Sequence, residues 1–267
     1  MQVIQQKLAT GPAQLTGLLH SLDQNTAQTT LPAIIIVPGG GYHQIPVGQA
    51  ETLALAFAGR GYQAFYLEYT LISDHQPLGL APVLDLGRAI QLIHQNATAW
   101  HIDTNQITPV GFSAGGHIVA LYNDYWHTLL PQRMQVPASE LTIANVILSY
   151  PVINPTYGYP TDAATLAKWT TQPNEMAADE QINGYNRPTF IWATADDPLI
   201  PATNTLAYAT ALAKQQLPYE LHLFDHGPHG LALANLQTAW KPDANLPHAA
   251  HWFELALEWL HQQAKQS

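Results

Sequence analysis

The chain has 267 residues, 47% of them hydrophobic, and a formal net charge of −10 from nine basic and 19 acidic side chains. The cations are scattered, so no basic stripe is present to neutralise phosphates and nucleic acid is not an expected partner; with no cysteine, disulfides, thiolate catalysis and Cys-ligated zinc are excluded. Residues 1–17 hold one lysine and no apolar signal core, and no run approaches the roughly 18 apolar residues of a membrane span, so the expectation is a soluble cytoplasmic protein with one domain over 1–267.

Apolar strand-like runs alternate with helical spacing along the chain. The strongest strand is 33–37, closed by Pro38-Gly39-Gly40-Gly41, and 63–69 reads as the next. Val83, Leu86, Ile90, Ile93 and Ala97 keep helical spacing, then 107–112 reads as a strand and a helical run begins at Ala114. Strands follow at 144–150, 189–193 and 219–224, with a helix starting near Ala202, a helical run over 231–236 and a last helix carrying Trp252, Leu255, Ala256, Trp259 and Leu260. This alternation predicts an α/β fold with a mostly parallel central sheet flanked by helices. The segment 152–187 breaks the rhythm, being rich in Pro, Asn, Tyr and acidic residues with a short helical stretch at 163–169. Irregular segments of that length inside a compact domain are usually functional, so it is read as a small cap or lid insertion.

Gly111-Phe112-Ser113-Ala114-Gly115 fits the G-x-S-x-G nucleophile elbow and lies between a predicted strand and a predicted helix. A serine hydroxyl becomes a useful nucleophile when such a sharp turn presents it bare to a base. The acid that orients the base should follow a late strand, and 189–193 leads into Asp196-Asp197-Pro198-Leu199-Ile200-Pro201. Neighbouring residues leaving a strand point in different directions, so only one aspartate can reach the histidine. The D-x-x-[IV]-P spacing selects Asp197, with Asp196 expected to cap the helix near Ala202. The base should sit after the last strand, where Asp225-His226-Gly227-Pro228-His229-Gly230 offers two histidines. His229 is the expected base and His226 a loop-stabilising or rim residue; a metal site of Asp225, His226 and His229 lacks a further strong ligand nearby. No metal or other cofactor is called for.

Oxyanion donors are expected from the glycine loop: the backbone N–H groups of Gly40 and Gly41 with that of Ala114 at the helix start, the glycines being read as positions where a Cβ would block the substrate. The loop lacks the downstream Lys-Ser/Thr of a phosphate-binding P-loop. Chance produces a lone G-x-S-x-G often. The order Ser113, Asp197, His229, each after a predicted strand, arises by chance far less readily.

The blocks Ile35-Ile36-Val37-Pro38-Gly39-Gly40-Gly41-Tyr42, Gly111-Phe112-Ser113-Ala114-Gly115-Gly116-His117, Trp192-Ala193-Thr194-Ala195-Asp196-Asp197-Pro198 and Gly227-Pro228-His229-Gly230-Leu231 resemble the acetylesterase and acetyl-xylan-esterase-like lipase/esterase branch of the α/β-hydrolase superfamily, over roughly residues 30 to 265. The resemblance implies the α/β-hydrolase fold and a Ser-Asp-His carboxylesterase acting on short acyl esters, including acetylated sugars. One departure is Pro38 in place of the first His of the HGGG-type loop, which removes no backbone donor. The expected partner is thus a small-molecule ester, with a homo-oligomer left open. Tyr42, His43, Tyr157, Tyr159 and Trp169 are expected at the mouth of the site, where aromatic rings suit sugar or aryl groups. His117 is expected to brace the elbow helix, with Asp103 and Arg88 structural. Two other classes share these features in part: a serine exopeptidase or amidase of prolyl-oligopeptidase type, for whose extra domain the chain has no room, and a non-catalytic ligand-binding homologue, which would lack a triad residue.

Overall fold

The computed structural model describes residues 1–8, 11–23, 25 and 27–265. Its strands are β1 (Gln2–Lys7), β2 (Gln14–Leu19), β3 (Leu31–Val37), β4 (Gln63–Glu68), β5 (Ile102–Phe112), β6 (Val146–Ser149), β7 (Thr189–Thr194) and β8 (Tyr219–Phe224). They form one sheet in the order β1-β2-β4-β3-β5-β6-β7-β8. β2 pairs antiparallel with β1 and β4, and every other neighbouring pair is parallel. The helices are α1 (Val47–Ala58), α2 (Ala81–Asn96), α3 (Ala114–Tyr125), α4 (Leu130–Met134), α5 (Ala163–Trp169), α6 (Thr203–Lys214), α7 (Pro247–Ala250) and α8 (Trp252–Ala264).

The central parallel strands β3, β6 and β7 read as nearly unbroken apolar runs because both faces of the sheet are covered there. Ala33, Ile35 and Val37 of β3 join a core with Leu86 and Ile90 of α2 and Val119 of α3. Ile34 and Ile36 point the other way, into a second core with Phe57 of α1 and Trp252 and Ala256 of α8. Full burial of each such isoleucine stabilises the fold by roughly 1.5–3 kcal/mol.

β1 and β2 were not expected from the sequence. β1 is exposed along nearly its whole length, and its Gln-rich run gives no apolar period. Elsewhere strand limits move by a few residues: β5 begins earlier than expected, and β6 stops before Tyr150, whose backbone turns to φ 38°. The helix expected over 231–236 is absent. Ala232 and Ala234 take φ 51° and 55°, and side chains occupy the backbone groups a helix would pair: Ala232 N donates to Tyr150 Oη, Ala232 O accepts from Trp252 Nε1, and Leu233 N donates to Thr238 Oγ1.

The 152–187 segment carries α5 and two 3-10 turns, Pro173–Met176 and Ala178–Glu180. Its ends and middle are tied down. Ile153 N donates to Asn204 Oδ1 of α6, Leu78 N and Gly79 N donate to the carbonyls of Lys168 and Trp169, and Arg187 N donates to Asn123 Oδ1 of α3. Trp169 and Met176 are buried. Among the described residues, no helix is long and apolar enough to cross a membrane.

Candidate active site

β3 lies between β4 and β5, so the loops leaving β3 and β5 in register, Val37 opposite Gly111, emerge side by side at the carboxyl ends of the strands. That reversal of strand order is where open α/β sheets form a crevice. The helix α3 must start at once, and it does so against β3: a Cβ on Gly115 would lie 2.0 Å from the Val37 carbonyl oxygen. Ser113 therefore sits in a forced turn at φ 54°, ψ −118°, a conformation costing a non-glycine residue about 1–3 kcal/mol. Its backbone is held by donation from Ser113 N to Ser149 O, while Ser113 O accepts from His117 N and Val152 N.

Ser113 Oγ lies 2.7 Å from His229 Nε2, and His229 Nδ1 lies 2.7 Å from Asp197 Oδ2. A carboxylate only accepts, so Nδ1 carries the ring proton and Nε2 is left to accept from the serine hydroxyl. The other oxygen of Asp197 accepts from Leu199 N at 2.8 Å and Ile200 N at 2.9 Å. This Asx turn fixes the carboxylate, whose side chain is 1% exposed. The Tyr150 ring stands edge-on to the His229 imidazole, with centroids 5.0 Å apart, and limits its rotation.

Asp196 does not cap α6, whose start carries no side-chain cap. It faces the opposite way, accepting from His226 Nδ1 and from Gly227 N. Thr194 Oγ1 donates to Gly227 O, so the loops after β7 and β8 are laced together beside the triad-like array. The hydrogen bond to His226 holds the Asp196 carboxyl below its ordinary range and raises His226 above its own. His226 is a rim residue with a mostly exposed side chain. Asp103 caps its own turn through Asn105 N and Gln106 Nε2, and Arg88 pairs with Asp85.

Among the described residues, no acceptor takes the amide N–H of Gly40, Gly41 or Ala114. Gly39, Gly40 and Gly41 line a cleft of about 200 Å³ together with Ser113, Tyr150, Tyr159, Leu199 and His229. For Gly40 the reason for glycine differs from the one expected. At Gly40 (φ 115°) a Cβ would fall 2.0 Å from the Gln44 carbonyl oxygen, so the turn itself forbids a side chain there.

Of the five residues expected at the mouth, Tyr159 lines the cleft. Tyr42 and Trp169 are buried inward, with ring centroids 4.8 Å apart, because the Tyr42 hydroxyl has a partner in His117. Tyr157 donates to Asp179 outside the cleft, and His43 is exposed beyond it. His117 reaches further than the elbow helix: its Nε2 bonds the Met176 carbonyl of the 152–187 segment at 2.7 Å. Burial lowers its pKa to about 4, so it is neutral at ordinary pH. Sequence reasoning missed Gln44, Gln49, Tyr150 and Leu199 as cleft walls. Only Leu199, inside the D-x-x-[IV]-P run, sat next to a recognised motif. A larger hollow of about 450 Å³, bounded by Arg60, Tyr62, Asp103 and Asn145 at the opposite strand ends, contains no serine.

A family profile named BD-FAE matches residues 21–212. The chain is 35% identical to the carboxylesterase Cest-2923 from Lactobacillus plantarum WCFS1, with a TM-score of 0.94 over 99% of this chain and 98% of that one. It is 63% identical to a second Lactobacillus plantarum WCFS1 structure, assigned as a carboxylesterase, with a TM-score of 0.83 over 98% of each chain. An acetylxylan esterase of Xylanibacter ruminicola is 27% identical over 74% of this chain and 40% of its own length. The chain spans 33% to 40% of the length of the first curated relatives it matches. With a doubly covered, mostly parallel sheet, an elbow serine at the strand reversal and a profile match over most of its length, the chain belongs to the BD-FAE family, in the esterase branch of the α/β-hydrolases.

Proposed function

We propose that the protein is a serine carboxylesterase that hydrolyses short-chain, acetyl-type esters, acetylated sugars included, through an acyl-enzyme on Ser113. The observation that carries the reading is the unbroken chain of contacts from Ser113 Oγ to His229 Nε2 and from His229 Nδ1 to Asp197, 2.7 Å each. His229 takes the Ser113 proton as Oγ attacks the ester carbonyl, and Asp197 holds the tautomer and stabilises the imidazolium. The N–H groups of Gly40, Gly41 and Ala114 bind the oxygen as it gains charge. Collapse of the tetrahedral intermediate expels the alcohol, which receives the proton from His229. Water then attacks the acyl carbonyl, gives its proton to His229, and the acid leaves as Oγ is reprotonated.

The cleft volume of about 200 Å³ supports a short acyl group, with Tyr159 and Leu199 as walls and the amides of Gln44 and Gln49 near a hydroxyl-rich alcohol. The similarity to an acetylxylan esterase supports sugar acetates as substrates. The 152–187 segment is then a cap whose Tyr159 borders the acyl site. A p-nitrophenyl ester chain-length series, run beside an aminoacyl-p-nitroanilide on wild type and Ser113→Ala, tests this. Acetate and butyrate cleavage is expected, with loss on the order of 10⁶ in kcat on removing the hydroxyl. Turnover by Ser113→Ala close to wild type, or preference for the anilide, refutes it.

A further inference from the structure

The N–H groups of Gly40 and Gly41 serve an oxyanion only if the peptide planes that carry them keep one orientation. In a trans peptide the N–H points opposite to the carbonyl of the preceding residue. The Gly40 N–H therefore shares a plane with the Gly39 carbonyl, and the Gly41 N–H with the Gly40 carbonyl. Both carbonyls are pinned. The Tyr69 hydroxyl, just past β4, is shared between Pro38 O at 2.9 Å and Gly39 O at 3.2 Å. Gly40 O accepts from His43 N at 3.0 Å and from Gln44 N at 3.3 Å.

The turn also ends on a residue that resists its conformation. Gly40, Gly41 and Tyr42 follow one another at φ 115°, 63° and 65°, a run glycine adopts freely and tyrosine does not. Tyr42 is held there by its hydroxyl, 2.9 Å from His117 Nδ1, and by its carbonyl, which accepts from Ile72 N. His117 Nε2 meets a carbonyl, Met176 O, so that nitrogen bears the proton and Nδ1 accepts from the phenol. The Tyr42 ring is edge-on to both Trp169 and Tyr69. Burial pushes both phenols well above their ordinary range, so they remain donors across the working pH.

We propose that Tyr69 and Tyr42 are positioning residues of the oxyanion turn: Tyr69 aims the Gly40 N–H by fixing the carbonyl of the same peptide, and Tyr42, through His117 and Met176, ties the turn to the 152–187 insertion. The assignment rests on the esterase reading above and adds two residues that touch no substrate. Tyr69→Phe and Tyr42→Phe each delete one hydroxyl and keep the ring packing. The measurements are kcat and KM for p-nitrophenyl acetate, the active fraction by titration, and the inhibition constant of a trifluoromethyl ketone bearing a methyl group. Its hemiketal on Ser113 puts an oxyanion in the same place as the intermediate. The expected result is a kcat lowered about tenfold to a hundredfold with KM within about threefold, and a ketone inhibition constant raised by the same factor as kcat/KM falls. Should one variant fail to fold, the other decides. A folded variant with wild-type kcat and ketone affinity overturns the assignment, as does a kcat loss with ketone affinity unchanged. A wild-type protein that neither cleaves the ester nor binds the ketone overturns the esterase reading itself, and this assignment with it.

Discussion

Acidification to pH 5 should weaken the fold through one imidazole, His117. Its ring is fully buried between Tyr42 and Met176, and its pKa falls from 6.5 to about 4 because burial penalises the charged form. A histidine whose folded pKa lies below its unfolded value leaves the unfolded chain binding more protons between the two. Its contribution to stability is therefore complete above the unfolded pKa and is lost as pH falls toward the folded one. Between pH 7.5 and 5 the loss is about 2 kcal/mol, which for a 267-residue protein is a fall in Tm of roughly 3–4 °C. Asp85 and Asp124 act in the opposite sense, since burial raises both carboxyls and acid favours their neutral folded forms. The comparison is therefore wild type against His117→Gln, measured by urea unfolding at both pH values. The stability difference between the two should shrink by about 2 kcal/mol at pH 5. A difference that does not change with pH, or an imidazole that titrates near its unfolded value in the folded protein by NMR, would refute the reasoning.

Two further outcomes separate neighbours that look alike in sequence. Asp197→Asn should keep the Asx turn to Leu199 and Ile200 yet lower kcat on p-nitrophenyl acetate by about 10⁴ at neutral pH, by the loss of the right His229 tautomer, whereas Asp196→Asn should change it by less than about tenfold; equal losses would mean the wrong aspartate carries the role. Ser113→Gly should be more stable to urea than Ser113→Ala by about 1 kcal/mol, since glycine releases the strain at φ 54° and alanine does not, and a less stable glycine variant would show the elbow to be unstrained.

The fold was legible where burial is two-sided. Continuous runs such as β3 and β7 exist because helices cover both faces, and nothing polar interrupts them. β1 lacks that cause. It is an exposed antiparallel edge whose partner β2 supplies the register, so its own residues carry almost no period. The failed helix at 231–236 has a different origin. Its apolar pattern is real, but Leu231, Leu233 and Ala234 are buried by turns whose amides bond to Tyr150 and Thr238, partners the sequence places 82 and five residues away. Helical spacing reports that residues are buried on one side, and does not report which groups satisfy the backbone.

Spacing along the chain ranked Ser113, Asp197 and His229 correctly as neighbours because each follows a strand in a sheet whose parallel order brings loop ends together. It misjudged Tyr42 for a related reason. An aromatic next to a glycine turn reads as a rim residue, yet its hydroxyl finds a buried nitrogen 75 residues away, and a phenol with such a partner is worth more inside than at a wet mouth. Burial around that contact explains why His117, two residues past the motif, is neutral and structural. Gly40 is likewise dictated by the fold, since a Cβ there would meet the Gln44 carbonyl oxygen. In the esterase proposed above, a donor pair held by the fold in that way would meet the transition-state charge without reorganising, which is the condition under which backbone N–H groups contribute most to catalysis.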